Sequence, residues 1–125
     1  QYTAYARLPS LFLLDGTPTD GHTTTELEQA LRKQITQLQD ALIDEAELQR
    51  IITQVVASKV YQQDSMFYQA MEIGMLESMG MDWRLLDKEV EYLRAVTPQQ
   101  VREVARKYLI DDNLTIATLV PQAKK

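Results

Sequence analysis

The sequence predicts an α+β domain: a few-stranded, mainly antiparallel sheet packed against about four helices. Three observations lead there. Residues 96–120 read as a short capped helix running straight into a strand. Leu11-Phe12-Leu13-Leu14 is a compact apolar run closed by Asp15-Gly16-Thr17-Pro18, turn chemistry that favours a strand over a buried helix turn. Between these two ends, apolar residues recur at helical spacing through most of residues 27–93.

In chain order, residues 2–8 hold β-favouring tyrosines with loose alternation and read as a further strand or an extended arm, broken by Pro9. The run 11–14 is apolar on both faces, so it belongs inside a sheet or beneath a partner. Residues 19–24 are loop. Thr23 with Glu26 forms a capping box, and Leu27, Leu31, Ile35, Leu38 and Leu42 make the stripe of the first helix. Glu28, Arg32, Gln39 and Asp40 fill its polar face. Asp44 with Glu47 forms a second box ahead of Leu48, Ile51, Ile52, Val55, Val56 and Val60.

Asp64-Ser65 marks a cap or a bend. Phe67, Met71, Met75 and Met79 then repeat every four residues, and that spacing is read first as core. Gly80 suits the C-terminal cap. Asp82 opens the next helix, with Leu85, Leu86, Glu89, Val90 and Leu93 near one side. Thr97 is an N-cap, Pro98 takes the first helical position, and Gln100 sits where a capping box wants it. Val101, Val104, Ala105 and Leu109 form the stripe. Asp111-Asp112-Asn113 stops the helix, because short polar side chains compete for backbone bonds. Residues 114–120 follow as a strand and 121–125 as a tail. An isolated strand pair is marginal in water. Further strands are therefore expected upstream, and the abrupt start at Gln1 is read as an excised piece or a processed product.

Composition narrows the function classes. The chain has 125 residues, 45% hydrophobic and 25% charged, with a net charge of −5. These values suit one globular domain or part of one. The acidic balance argues against a general nucleic-acid or membrane surface, both of which favour a basic face. The absence of cysteine removes disulfides, thiolate metal sites and a cysteine nucleophile. No apolar run approaches the roughly 20 residues of a membrane helix, and no signal peptide is visible. The compartment stays open, with a periplasmic or otherwise exported protein among the options.

Candidate chemistry meets a plainer reading at each point. His22 is the only histidine, and a lone histidine cannot build the usual zinc site. Asp44-Glu45-Ala46-Glu47 resembles a paired-carboxylate site, but acids at a helix start are explained by capping and the macrodipole. Asp111-Asp112-Asn113 lacks the spaced ligands, Gly and closing Glu of a calcium loop. Asp15-Gly16 and Asp20-Gly21 are turn signals, with no phosphate-loop pattern around them. Ser10, Ser58, Ser65 and Ser78 have only His22 to recruit as a base. Trp83 and Tyr92 read as packing at the margin of the helices. Arg7 beside Tyr2 and Tyr5 reads as surface packing, with contact to an extended peptide as the sharper alternative. The residues therefore assign no catalytic, cofactor-binding or metal-binding role within the chain.

Several passages together resemble one family. They are Tyr5-Ala6-Arg7-Leu8-Pro9-Ser10-Leu11-Phe12, then Gly21, Thr23 and Glu26-Leu27-Glu28, then Asp44-Glu45-Ala46-Glu47-Leu48-Gln49-Arg50. Tyr61-Gln62-Gln63-Asp64-Ser65, Trp83-Arg84-Leu85-Leu86-Asp87, Leu93-Arg94-Ala95-Val96-Thr97-Pro98 and Tyr108-Leu109 through Asn113-Leu114-Thr115 follow. Their order and spacing, rather than any single motif, resemble the pitrilysin or insulinase-type zinc metallopeptidases, relatives of the mitochondrial processing peptidases. The likeness spans nearly the whole chain. It implies repeated sheet-and-helix sandwich domains whose paired halves enclose a peptide chamber, with zinc held by His-x-x-Glu-His in one domain. That motif is absent here, which leaves two explanations: it lies upstream of Gln1, or this is a metal-free domain. The resemblance is closer to the C-terminal, inactive-type domain, where the capped helix and final strand close the repeat. It implies one partial, inactive domain over 1–125, with no cofactor of its own and zinc in the catalytic domain of the parent. Its implied partners are that catalytic domain and the parent's peptide substrate. A scaffold domain of a processing-peptidase-like core subunit is the alternative, and a stand-alone peptide-binding module is a third reading. The family's substrate-holding Arg and Tyr have no counterpart that can be placed on this chain, so Arg7, Tyr2 and Tyr5 do not inherit that role. Exposed sheet edges lead to the expectation that the isolated chain self-associates.

Overall fold

A computed structural model describes residues 6–120. Five α-helices run in order: α1 (Thr24–Asp40), α2 (Glu45–Gln62), α3 (Met66–Ser78), α4 (Leu85–Arg94) and α5 (Pro98–Tyr108), followed by a 3-10 turn at Asp111–Asn113. The chain divides into two compact units. One is formed by residues 1–15 and 43–98, and so holds α2, α3 and α4; the other is formed by residues 16–42 and 99–125, with α1 and nearly all of α5.

The α+β expectation is overturned. Among the described residues there is no sheet, and the only β-type pairing falls on the single residue Phe12. Residues 114–120 form no strand, with Leu114 43%, Ile116 49%, Leu119 91% and Val120 74% exposed. Leu11, Leu13 and Leu14 are likewise exposed, and Arg7 and Leu8 form a bend. The physical reason is that strand propensity describes fit to a pleated, half-buried surface, not an intrinsic backbone state. Without a ladder of several paired residues, β-favouring sequence does not build a sheet. Residues 2–5 lie outside the described range.

The helices follow their local signals closely. At α1 the Glu26 N–H donates to Thr23 Oγ1 at 3.2 Å, and the Thr23 N–H donates to Glu26 Oε2 at 2.7 Å, completing the capping box. The Thr23 N–H bond holds the Glu26 carboxyl below its ordinary pKa, with help from the Thr23 hydroxyl. The lowered value means that this contribution is present above the unfolded carboxylate pKa and fades as pH falls through the folded one. Thr23→Ala is expected to lower stability by about 1 kcal/mol, read by urea denaturation at neutral pH. An unchanged midpoint would show that the box is decorative. At α2 the expected second box does not form: Asp44 has N-cap backbone geometry but makes no side-chain cap bond, and Glu47 instead lies 3.8 Å from Arg50. Ser65 caps α3 by accepting from the Tyr68 N–H at 3.3 Å.

Gly80, at φ 75°, ends α3 in a left-handed turn. The Met81 N–H donates to the Leu76 carbonyl and the Gly80 N–H to the Glu77 carbonyl, both at 3.0 Å, which is the Schellman pattern. The expected start at Asp82 becomes a turn outside the helix: Asp82 Oδ1 accepts from the Arg84 N–H at 2.9 Å, and α4 begins at Leu85. Pro98 opens α5 as expected. Asn113 Nδ2 donates to the Tyr108 carbonyl at 3.1 Å, satisfying one open acceptor at the end of α5.

The core of the α2–α4 unit consists of Leu48, Ile52 and Val56, four residues apart on α2, and Leu76 on α3. In the α1–α5 unit, Ala105 is the buried residue and polar clips join the helices. Gln39 Nε2 donates to the Leu109 carbonyl at 2.6 Å, Arg106 Nε donates to the Gln39 carbonyl at 2.6 Å, and Arg32 Nη1 meets Asp111 Oδ1 at 2.8 Å. Arg32 and Gln39 thus leave the solvent-face role that helical periodicity assigns them.

Candidate functional site

The best-built polar feature is a charge cluster in the α2–α4 unit. Lys59 extends from α2 and places Nζ 2.9 Å from Glu72 Oε1 on α3 and 3.1 Å from Glu89 Oε1 on α4. The three side chains are mostly covered, at 23%, 12% and 17% exposure. Partial burial on its own pulls the Lys59 pKa down, but hydrogen bonds to both carboxylates outweigh it and leave the value raised. A catalytic amine needs the opposite shift, because only the neutral form attacks or accepts a proton. The cluster is therefore a pin joining three helices, not a nucleophile.

Beside α2 lies a shallow groove of about 340 Å³ lined by Gln49, Ile52, Thr53, Val56, Ala57 and Arg94. It offers apolar surface, one guanidinium, one carboxamide and one hydroxyl. The Thr53 hydroxyl already donates to the Gln49 carbonyl at 2.8 Å. None of these lining residues is a histidine or a carboxylate.

The sequence-derived candidates are scattered. His22 is exposed, with Nδ1 3.6 Å from Glu26 Oε2. Asp44, Glu45 and Glu47 are exposed at the start of α2. Asp111 is taken by Arg32, and Asp112 is exposed in the same 3-10 turn. Ser65 is a cap, and the Ser78 hydroxyl donates to the Met75 carbonyl at 2.8 Å. Ser10 and Ser58 are exposed. Arg7 lies in an exposed bend, while Tyr2 and Tyr5 fall outside the described residues. Trp83 stacks under the Arg84 guanidinium, 5.1 Å from its ring centre, and Tyr92 is exposed. Among the described residues, no three His, Cys, Asp or Glu side chains converge on a point that could hold a metal ion. These residues do not fit the zinc that the family resemblance implies elsewhere in such proteins. No helix among them is long and apolar enough to cross a membrane.

Apolar surface is the remaining feature. Among the described residues five hydrophobic side chains are buried, while 23 large ones are exposed. Exposed apolar side chains are ordinary when scattered and informative when they gather on one face. The core reading of Phe67, Met71, Met75 and Met79 fails at its first half. Phe67 is 80% and Met71 45% exposed, Met75 and Met79 are half-buried, and the fully buried residue is Leu76. A step of four residues overshoots a 3.6-residue turn by about 40°, so three steps carry the stripe about a third of the way round the helix. Periodicity of four signalled a helix; it did not signal one face.

No family model matches the chain, and no curated protein matches it.

Proposed function

We propose that this chain is a non-catalytic domain of a bacterial zinc peptidase of the pitrilysin type. Its task is to pack on a zinc-bearing catalytic domain and help to shape the chamber that receives peptide. The observation that carries the reading is the excess of exposed apolar side chains on the elements bearing the family-like passages. Leu11 and Phe12, Tyr61, Trp83 and Leu114 all belong to those passages and all face solvent. A domain of this kind needs cover, and a companion domain supplies it. The resemblance adds the ordered passages across nearly the whole chain, without the His-x-x-Glu-His motif.

The test is to produce the chain alone and together with the zinc-bearing peptidase encoded with it. Alone, it should carry no stoichiometric zinc and leave unfolded peptides intact. Together, the two should co-purify, and peptide hydrolysis should exceed that of the catalytic partner by itself. Zinc at one per chain with turnover by the chain alone would overturn the reading. Co-purification with no change in hydrolysis would favour the scaffold alternative.

A further inference from the structure

We infer that the outward face of α3 docks an amphipathic helix carrying basic residues, with Gly74 as the point of close approach. This inference stands independently of the peptidase reading. Ile73, Met66, Glu77, Gly74, Phe67 and Met71 fall within about 160° of the α3 circumference at 3.6 residues per turn. The four large apolar members are 38%, 85%, 80% and 45% exposed for Ile73, Met66, Phe67 and Met71. Tyr68, Glu72, Leu76 and Met79, the less exposed positions, occupy the opposite side.

Gly74 lies near the middle of this face. It is not among the glycines with positive φ, and a Cβ placed on it would meet nothing within 4 Å. Neither backbone conformation nor crowding within the chain requires glycine there. A mid-helix glycine costs stability relative to alanine, and without a Cβ it leaves the helix backbone open to close approach. The open space at Gly74 lets another backbone come close between the flanking apolar side chains.

Charge selects the partner. From Lys59 to Arg84 the intervening residues include Asp64, Glu72, Glu77 and Asp82 and no Lys or Arg. Glu72 is paired with Lys59 and Asp82 with Arg84, while Glu77 has no ion-pair partner among the described residues. Glu77 sits in the last turn of α3, where the helix macrodipole is also negative. A second copy of this chain would bring the same acid to an isologous contact, and an anionic bilayer would be repelled. A Lys or Arg on an incoming helix answers both sources of negative charge. All five methionines of the chain lie between residues 66 and 81, and their flexible thioethers suit a surface that adapts to a helix.

The test titrates the full chain with two synthetic helical peptides sharing one leucine–alanine face, one with lysines and the other with glutamates on its flanks. The lysine peptide should bind, and the glutamate peptide at least tenfold more weakly. Gly74→Leu should weaken the lysine peptide at least tenfold, and Glu77→Lys should reverse the preference between the two. Gly74→Ala should raise the melting temperature by about 3 °C, which separates docking from folding. Equal binding of both peptides, binding unaffected by Gly74→Leu, or no binding at all would overturn the inference. So would a concentration-dependent dimer dissolved by Gly74→Leu, which would make a second copy the occupant.

Discussion

Leu76→Ala is expected to destabilise the α2–α4 unit by about 3–4 kcal/mol. Leu76 is fully buried, at 0% exposure, and the other buried apolar residues of that unit are Leu48, Ile52 and Val56 on α2. Its backbone carbonyl also closes the Schellman turn at Gly80, so the side chain sits where α3 is least free to shift and fill a void. The substitution removes the transfer energy of the lost methyl groups and leaves a cavity that neighbours relax into only partly. Met66→Ala on the same helix is the control: at 85% exposure it should change stability by less than about 0.5 kcal/mol. Urea denaturation of both variants reads the difference. A loss under about 1 kcal/mol for Leu76→Ala would mean that α3 is not held by this residue.

Lys59→Met should cost about 2 kcal/mol. The magnitude lies between the roughly 0–1 kcal/mol of an exposed ion pair and the roughly 3–5 kcal/mol of breaking a buried one. Here the partners are 12% and 17% exposed, closer to the buried limit, while Lys59 keeps some water at 23%. The damage comes from leaving Glu72 and Glu89 facing each other without a cation. The triple variant Lys59→Met, Glu72→Gln, Glu89→Gln should therefore recover more than half of the loss, because the orphaned charges are gone. If the triple variant is no better than the single one, packing of the Lys59 stem accounts for the effect instead. The pH dependence has a definite sign. The folded-state pKa of Lys59 is raised, so its contribution is complete below the unfolded lysine pKa of about 10.4 and fades as pH rises through the folded value. Wild type should lose stability in that alkaline window relative to the triple variant, and the two should run parallel at neutral pH.

The candidate site was only partly legible. Every exposed residue on α3 stands in plain sequence, and the periodicity that placed the helix was real. The side that faced outward was not readable, because a repeat of four drifts across the helix surface and Leu76, outside the stripe, is the residue that became buried. The Lys59 pin was equally hidden. Its two carboxylates lie 13 and 30 positions further along on separate helices, and nothing local to Lys59 marks them as partners.

Local chemistry in the sequence determined the helices: the Thr23–Glu26 box, the Ser65 cap, Gly80 and Pro98 each act within a turn or two, so their effects are written in adjacent residues. It also determined that the chain carries a single histidine and no cysteine, which leaves no thiolate metal site and no two-histidine zinc motif before any fold is known. Tertiary structure alone decided whether residues 11–14 and 114–120 became strands, because a strand exists only by virtue of its neighbour. It also turned Arg32 and Gln39 from solvent-face residues into clips between α1 and the α5 segment. Hydrogen bonds across long stretches of chain depend on where folding brings the partners, and no short window of sequence contains that information.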